Sequence, residues 1–341
     1  MVAEPKYDIR LTGIAGGYRN GKETRVLYRD VDLTVPEGEV FILLGRNGAG
    51  KSTLLKTLAG LLRPLQGEIR IGEERIDRLP VHRLAGLVSF VSTEKVRPGN
   101  FTVRNLVGLG RSPYTGWTGR LSETDGEVVR RALRLVGMED FAEKGVESLS
   151  DGERQRVMIA RALAQDTPVL LLDEPTAYLD IPNTYGIALL LQRLAHEYGK
   201  TILFSTHDLQ VALRTADTLC ILEGGRFHTG APEDLMLSGA VDAMLAGSVL
   251  RFDMCDADLK LEFRRRGTVF LEAYRQYRGL FEKALERVGY AVTADVSCPD
   301  RLTAQVEKEA VSLELTLHGR NHRFDTIGAL LALLRREEEK R

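Results

Sequence analysis

The chain has 341 residues, with 47 Lys and Arg against 48 Asp and Glu, and a formal net charge of -1. This balance gives no electrostatic support for a nucleic-acid partner, and the length predicts about two domains. Hydrophobic residues make up 43% and charged residues 28%, which is typical of a globular protein. The scattered Cys220, Cys255 and Cys298 fit a reducing compartment better than a disulfide framework or a metal cluster.

Hydropathy predicts neither a secretory signal nor a membrane span. Residues 1–10 include Glu4, Lys6 and Asp8 and have no apolar core. The longest apolar stretches, near 187–194 and 328–334, are shorter than the ~20 residues that a membrane helix needs. If the protein acts at a membrane, we therefore expect another protein to provide the pore.

Apolar spacing predicts strands that alternate with helices along the first two thirds of the chain. The strands are predicted at 41–44, 67–71, 169–172 and 201–205, and the helices at 54–62, 128–136, 155–164 and 187–194. The run at 169–172 is continuously apolar, as in a strand that is buried on both faces. This alternation predicts an α/β fold with a mostly parallel sheet.

The composition changes at 263–267, and we predict a domain of residues 1–263 followed by a small α+β domain of residues 267–341. The second domain has an α-β-β-β-α pattern, with Asp325 predicted to cap the last helix. Its segments are a helix at 269–288, strands at 290–296, 302–306 and 311–317, and a helix at 326–336. His318 and His322 are interpreted as surface or hairpin residues. A regulatory ligand site, a dimer-stabilising module and a passive addition all remain open for this domain.

A glycine-rich segment between a predicted strand and a predicted helix fits the pattern G-x-x-x-x-G-K-[ST]. Backbone N–H groups of such a turn surround phosphates, and the helix N-terminus adds its positive end. Lys51 is predicted to reach the β- and γ-phosphates, and the Ser52 hydroxyl to bind Mg²⁺. The alternative, a chance glycine turn, is disfavoured by this strand and helix context. The predicted ATP-binding residues are Gly45, Asn47, Gly48, Ala49, Gly50, Lys51, Ser52 and Thr53.

Two carboxylates, Asp173 and Glu174, follow the buried run at 169–172. The carboxyl end of a central strand lies beside the phosphate loop in this architecture. Asp173 is therefore predicted to hold Mg²⁺, and Glu174 to polarise the attacking water as a general base. A solvated acidic pair at the end of a strand is the plainer alternative.

The segment 149–155, Leu-Ser-Asp-Gly-Glu-Arg-Gln, resembles the signature motif of the ATP-binding cassette (ABC) proteins. Pro175, Leu179 and Asp180 resemble the family's segment after the catalytic glutamate, and 205–208 resembles its switch histidine. These motifs occur in the family's order. The resemblance covers about residues 7–251 and implies a P-loop NTPase cassette with a helical subdomain at about 101–164.

The resemblance also implies a role for each matching residue. Two subunits would stack head to tail around two ATP molecules, with the signature of one subunit facing the phosphate loop of the other. His207 would bind the γ-phosphate, Asp180 would couple the two sites, and Tyr18 would stack on adenine. The signature residues of this contact are Ser150, Gly152 and Glu153.

Two positions depart from the family pattern. Asp151 stands where the family usually has the first glycine of its signature pair. The segment 89–94 resembles the strand before the family's Mg²⁺-contacting glutamine, but the glutamine is replaced. Thr93 aligns with it best and Glu94 follows, and either oxygen could bind a hard metal.

The segment 104–125, which includes Arg111, Tyr114 and Trp117, resembles importers of iron–siderophore complexes, heme and cobalamin. This likeness implies a homodimer at the cytoplasmic face of the inner membrane, held peripherally by two permease subunits. It also implies a periplasmic or surface substrate-binding protein. An exporter ATPase and a non-transport ABC ATPase are the alternatives. The single cassette, the near-neutral charge and the missing coiled coil disfavour the non-transport class.

Overall fold

The computed structural model describes residues 7–20, 23–93, 99–116, 119–254, 258–307 and 310–336. The chain divides into two compact units. The first extends to Ala246 and includes Met254–Asp258, and the second comprises Gly247–Asp253 and Leu259–Arg341. The composition change at 263–267 therefore lies inside the second unit. Among the described residues, no helix has the length and apolar character needed to cross a membrane.

The first unit contains ten strands and nine α-helices within the described residues. Its strands are β1 (Ile9–Asn20), β2 (Glu23–Val35), β3 (Val40–Gly45), β4 (Gln66–Ile71), β5 (Glu74–Arg75), β6 (Val88–Val91), β7 (Val169–Leu172), β8 (Thr201–Thr206), β9 (Thr218–Glu223) and β10 (Arg226–Gly230). Its helices are α1 (Lys51–Leu58), α2 (Val81–Ala85), α3 (Val103–Gly108), α4 (Glu123–Leu135), α5 (Asp151–Ala164), α6 (Ile181–His196), α7 (Leu209–Thr215), α8 (Pro232–Leu237) and α9 (Ala240–Leu245).

A six-stranded sheet of order β10-β9-β3-β8-β7-β6 forms the centre of this unit. All neighbouring pairs are parallel except β10 and β9, which confirms the predicted mostly parallel sheet. Every residue of β3, β7 and β8 is buried, because helices and a second sheet cover the two faces. The carboxyl ends of β3, β7 and β8 consequently meet at one edge, where the predicted motifs follow the strands.

A four-stranded antiparallel sheet of order β2-β1-β4-β5 packs against the parallel sheet, with α1 between them. Their shared core includes Ile14 and Val31 from the antiparallel sheet, Leu54 from α1, and Phe41 and Leu171 from the parallel sheet. The pairing of β1 with β2 places Tyr18 opposite Arg25 near the tip of that hairpin. The antiparallel sheet therefore extends one aromatic side chain and one basic side chain toward the phosphate loop.

The helical subdomain consists of α3, α4 and α5 and is held by a buried arginine. Arg111 donates from Nε to Asp125 Oδ1 at 2.9 Å and from Nη1 to the Ala164 carbonyl at 2.9 Å. The Ser122 hydroxyl and N–H bind Asp125, and with Arg111 they lower the pKa of that carboxyl to about 2. Tyr114 stacks on the Arg111 guanidinium at 4.0 Å. Arg111 thus joins three parts of the subdomain. Trp117, which belongs to the same importer-like segment, lies outside the described residues.

The second unit is a five-stranded sheet of order β14-β13-β15-β16-β17 with two helices. Its core is formed by alternate residues of the strands and by the apolar faces of the helices. A separate two-stranded sheet joins β11 and β12. The elements are β11 (Leu250–Asp253), β12 (Asp258–Leu261), β13 (Gly267–Ala273), α10 (Arg275–Glu286), β14 (Tyr290–Thr293), β15 (Arg301–Glu307), β16 (Ala310–Leu317), β17 (Arg320–Phe324) and α11 (Ile327–Arg336).

Three details of the predicted second domain were wrong. The helix predicted from residue 269 begins only at Arg275, because Val269 and Leu271 alternate into the core as part of β13. The strand β17 was missed, because its polar sequence is held by pairing with β16 rather than by apolar periodicity. The cap of α11 is Thr326, whose Oγ1 accepts the Ala329 N–H at 3.2 Å, and not Asp325.

Candidate functional site

The phosphate loop connects β3 to α1 and is built around two glycines in the left-handed region, Gly48 at φ 81° and Gly50 at φ 110°. Other residues adopt this conformation only at a cost. Gly50 precedes α1 and no side chain caps that helix, so the first N–H groups of α1 are left to bind an anion. Lys51 is only 4% exposed and donates to the Gly45 carbonyl at 2.7 Å, which folds its side chain back across the loop.

A cavity of about 340 Å³ opens beside this loop. The hydroxyls of Tyr18 and Thr53 share a hydrogen bond of 2.7 Å, which fixes the aromatic ring at the cavity wall while 45% of the residue stays exposed. Arg25 and Leu27 also line the cavity and were missed in the sequence. Arg25 could have been identified from the pairing of β1 with β2, which places it directly opposite Tyr18 on the same face of the sheet. The lining residues are Tyr18, Arg25, Leu27, Asn47, Gly48, Gly50, Lys51, Ser52, Thr53 and Glu174.

The carboxyl ends of β7 and β8 hold the acidic pair in a short hydrogen-bond chain. Asp173 Oδ1 accepts from Ser52 Oγ at 2.9 Å and from Ser205 Oγ at 2.7 Å. Ser205 Oγ in turn accepts the Glu174 N–H at 2.9 Å. Glu174 has a left-handed φ of 47°, and this N–H contact helps to hold that strained backbone. Ser205 was not singled out in the sequence, although its place beside Asp173 follows from the register of the parallel strands.

The Glu174 carboxylate lies between two nitrogen-bearing side chains. Its Oε1 is 3.4 Å from Lys51 Nζ, and its Oε2 is 3.4 Å from His207 Nδ1. The Glu174 side chain is 21% exposed and the His207 side chain is 56% exposed, so this carboxylate can be reached by water and by a phosphate group. The predicted catalytic residues Glu174 and His207 are therefore adjacent, and both are close to the phosphate-loop lysine.

The site fits a nucleotide with a divalent cation. Ser52 and Asp173 offer a hydroxyl and a carboxylate oxygen 2.9 Å apart, and such hard oxygens are the ligands that Mg²⁺ prefers. Thr93 donates from Oγ1 to the Asp173 carbonyl at 3.1 Å and so lies at the same edge of the sheet. Glu94, the other proposed replacement for the glutamine, is outside the described residues.

The signature residues form the start of α5. Ser150 and Glu153 make a reciprocal capping box, in which Glu153 Oε2 accepts from the Ser150 N–H and hydroxyl at 2.8 Å each. The Ser150 N–H is the main cause of a lowered Glu153 pKa, with the hydroxyl second. Gly152 is buried against Asn183, whose side-chain atoms would lie 2.8 Å from an added Cβ. Asp180 caps α6 by accepting the Asn183 N–H at 3.0 Å.

Within the described residues, Ser150, Gly152 and Glu153 do not line the 340 Å³ cavity of their own chain. The structure therefore brings together the phosphate loop, the acidic pair, His207 and Tyr18. Ser150, Gly152 and Glu153 lie outside this group, whereas Asp151, Arg154 and Gln155 of the same segment line a pocket that also includes Glu174.

The geometry agrees with comparisons to known proteins. The ABC transporter family model matches residues 28–177. The achromobactin transport ATP-binding protein of Dickeya dadantii is 40% identical over 234 residues, which cover 68% of this chain and 85% of that protein. The chain belongs to the ABC transporter ATP-binding proteins. It therefore binds and hydrolyses ATP, which confirms the resemblance inferred from the phosphate loop and the signature.

Two further ABC ATP-binding proteins are similar over most of their length. An uncharacterized one from Methanocaldococcus jannaschii is 40% identical over 67% of this chain and 78% of its own. The iron(3+)-hydroxamate import ATP-binding protein of Bacillus subtilis is 40% identical over 60% of this chain and 76% of its own. Among solved structures, a dimeric cassette with ADP and phosphate bound is 29% identical, with a TM-score of 0.58, covering 66% of this chain and 98% of its own.

Proposed function

We propose that this ABC ATPase drives the import of iron–siderophore complexes, or of heme or cobalamin, through a separate permease. The observation that carries the proposal is the 40% identity to ATP-binding proteins that are named for achromobactin and iron(3+)-hydroxamate transport. The segment around Arg111 and Tyr114 adds support, because it resembles the same importers. No helix among the described residues could form the pore itself, which fits a role beside a membrane partner.

The phosphate loop would bind the nucleotide by exchanging internal hydrogen bonds for bonds to phosphate. Lys51 would release the Gly45 carbonyl and donate to the β- and γ-phosphate oxygens, since its Nζ already lies at the loop. The uncapped N–H groups at the start of α1 would face the same anion. Tyr18, held by Thr53, would stack on the adenine. Ser52 and Asp173 would hold Mg²⁺, which would neutralise phosphate charge when bound.

Glu174 would act as the general base for the attacking water. Its carboxylate is already oriented by Lys51 and His207 at 3.4 Å each, and its backbone is held by Ser205. Once Lys51 turns to the phosphate, the Oε1 atom of Glu174 becomes available to accept a proton from water. His207 would then donate to the γ-phosphate and keep the water and the phosphorus in line.

The signature of a second copy would complete the site. Ser150 and Gly152 lie at the N-terminus of α5, whose positive end can face the γ-phosphate that is bound by the partner. Asp180, at the start of α6, would couple the two sites across the dimer. The dimeric ADP- and phosphate-bound relative supports this arrangement. The complete assembly would also contain two permease subunits and a substrate-binding protein. The ATPase dimer would lie at the cytoplasmic face of the membrane.

Uptake in the source cell tests the proposed import. The gene would be deleted, and uptake of radioiron siderophore, heme and labelled cobalamin would be measured before and after complementation. We expect selective loss of one uptake, restored by the wild-type chain and not by Glu174→Gln. Unchanged uptake of all three compounds would overturn the import proposal. The remaining functions for this ATPase would then be export or a role outside transport.

ATP hydrolysis by the purified chain tests the role of Glu174 separately. Glu174→Gln keeps the shape of the side chain and removes its basicity, so hydrolysis should fall roughly 10²- to 10⁴-fold while ATP binding persists. Glu197→Gln, an exposed change at the C-cap that follows α6, is the matched control and should leave hydrolysis unchanged. Retained hydrolysis in Glu174→Gln would contradict the general-base role.

A further inference from the structure

A second cavity, of about 150 Å³, lies where α4 and α5 of the helical subdomain approach α6. Its floor is apolar and consists of Val128, Ala132, Leu135, Leu163 and Leu194. Its rim is polar and consists of Arg131, Asp166, Tyr198 and Lys200. This cavity shares no lining residue with the ATP cavity, so it is a separate concave site of the first unit.

The polar rim is fixed by the turns that end α5 and α6. Asp166 follows α5 with a left-handed φ of 54°, and its N–H donates to the Leu163 carbonyl at 2.9 Å. Lys200 follows α6, and its N–H donates to the Leu194 carbonyl at 3.2 Å. The Lys200 ammonium donates to the Thr167 carbonyl at 2.6 Å and lies 3.7 Å from the Asp166 carboxylate. The lysine is therefore held in place at the cavity wall.

Arg131 has no such partner in the part of the chain that the structure describes. Nearby helix-end carbonyls are already bound by other arginines, since Arg193 donates to Leu135 O and Arg156 donates to Val136 O, each at 3.3 Å. The rim consequently has two cations and one carboxylate, which leaves one positive charge uncompensated. Burial lowers the pKa of Lys200, Asp166 opposes that change and Arg131 adds to it, so the two cations lie close enough to interact.

The apolar floor limits the kind of anion that fits. A cavity of about 150 Å³ is large enough for a benzene-sized molecule. Pockets with an apolar wall and a few convergent polar groups are typical small-molecule sites. An inorganic anion would leave the leucines uncovered, whereas a neutral apolar molecule would leave Arg131 without a counter-charge. Arg131 is exposed to solvent at the rim, so a ligand that combines one negative charge with a compact apolar body would complement both this cation and the apolar floor.

We propose that this cavity binds a small monocarboxylate with an aromatic or branched aliphatic body. The carboxylate pairs with the Arg131 guanidinium at the rim, a geometry that arginine favours, and the apolar body covers Ala132, Leu135 and Leu194. Such a ligand contacts both α4 of the helical subdomain and α6, which begins at the Asp180 cap. Bound ligand thereby stabilises the contact between the helical subdomain, whose α5 begins at the signature, and α6, which begins at the coupling aspartate.

Binding of benzoate to the full chain, without nucleotide, tests this site directly. Calorimetry should give a saturable dissociation constant on the order of millimolar, as expected for a ligand of this size. Isovalerate should also bind. Two probes should bind at least about tenfold more weakly than benzoate. Benzyl alcohol has the apolar body without the charge, and inorganic phosphate has the charge without the apolar body. Equal binding of benzyl alcohol, or no saturable benzoate binding, overturns the proposal.

Variants locate the site. Arg131→Gln should weaken benzoate binding about tenfold or more, and Ala132→Leu should abolish it by filling the cavity. Arg130→Gln is the matched control, because Arg130 is exposed on the same helix and does not line the cavity. Methyl resonances of Leu135 and Leu194 should shift on titration in the wild type and not in Ala132→Leu. Unchanged binding by Arg131→Gln, or shifts confined to the phosphate loop, contradicts the proposed site.

Discussion

Ser205 donates a hydrogen bond of 2.7 Å to Asp173 and accepts the Glu174 N–H at 2.9 Å, so one hydroxyl connects both members of the acidic pair. The serine is fully buried at the end of β8. Its two bonds fix the direction of the Asp173 carboxylate and the left-handed backbone of Glu174. A residue with no direct role in the proposed mechanism thus positions Asp173, which would hold Mg²⁺, and Glu174, which would activate the water.

Ser205→Ala should lower the ATP turnover number roughly 10- to 100-fold with a much smaller change in KM, because loss of a positioning hydroxyl disturbs Asp173 and Glu174 rather than the phosphate loop. The Glu174 N–H would lose its hydrogen-bond acceptor, which should lower the free energy of unfolding by about 1–3 kcal/mol. Steady-state ATPase assays and chemical unfolding measure the two effects. The control is Ser89→Ala, a buried serine on β6 whose hydroxyl donates to the Val169 carbonyl at 3.5 Å. Equal kinetics for both variants would contradict the role of Ser205.

Two parts of the Tyr18 side chain can contribute to nucleotide binding. The ring faces the cavity, and the hydroxyl is bonded to Thr53. If the ring stacks on adenine, Tyr18→Phe should bind ATP nearly as well as the wild type. Tyr18→Ala should lose about 1–3 kcal/mol, which is roughly 5- to 150-fold in affinity. Fluorescent-nucleotide titration gives both constants. Tyr274→Ala, at an exposed tyrosine of the second unit, controls for removal of a tyrosine. Equal loss in Tyr18→Phe and Tyr18→Ala would assign the effect to the hydroxyl.

The central strands β3, β7 and β8 of the first unit and its phosphate loop were predictable from the sequence because their signals are local and strong. The apolar runs of β7 and β8 are typical of strands covered on both faces, and the glycine spacing before Lys51 favours a tight turn. Ser205 and Arg25 were missed because their importance depends on register with Asp173 and Tyr18, which a single strand does not reveal. The second unit was less predictable, since β17 has a polar sequence and is stabilised mainly by its neighbour.

The start of α11 offers a direct test of one corrected prediction. Thr326 accepts the Ala329 N–H through its hydroxyl, so Thr326→Ala should destabilise the second unit by about 1 kcal/mol. Asp325→Ala should have a clearly smaller effect, because its contribution is limited to a screened interaction with the helix dipole. Chemical unfolding of the full chain, followed by a probe in the second unit, measures both. A larger effect for Asp325→Ala would restore the aspartate as the cap.

Asp125 should make the stability of the helical subdomain depend on pH in the acid range. Its pKa is lowered from 3.8 to about 2, first by the Ser122 hydroxyl and N–H and then by Arg111. Because the folded-state pKa is depressed, the contribution of the carboxylate is fully present above about pH 4 and is lost as the pH falls toward 2. Asp125→Asn should therefore unfold at lower denaturant concentration than the wild type at pH 7, and this difference should shrink as the pH is lowered below 4.

Unfolding midpoints at neutral pH and at several acid values measure the difference. Glu127→Gln, on the exposed face of the same helix, is the control. Its unfolding midpoint should differ little from that of the wild type, and this difference should not change over the same pH range. A difference between Asp125→Asn and the wild type that stayed constant with pH would mean that packing, and not the ionised carboxylate bound by Ser122 and Arg111, stabilises this part of the subdomain.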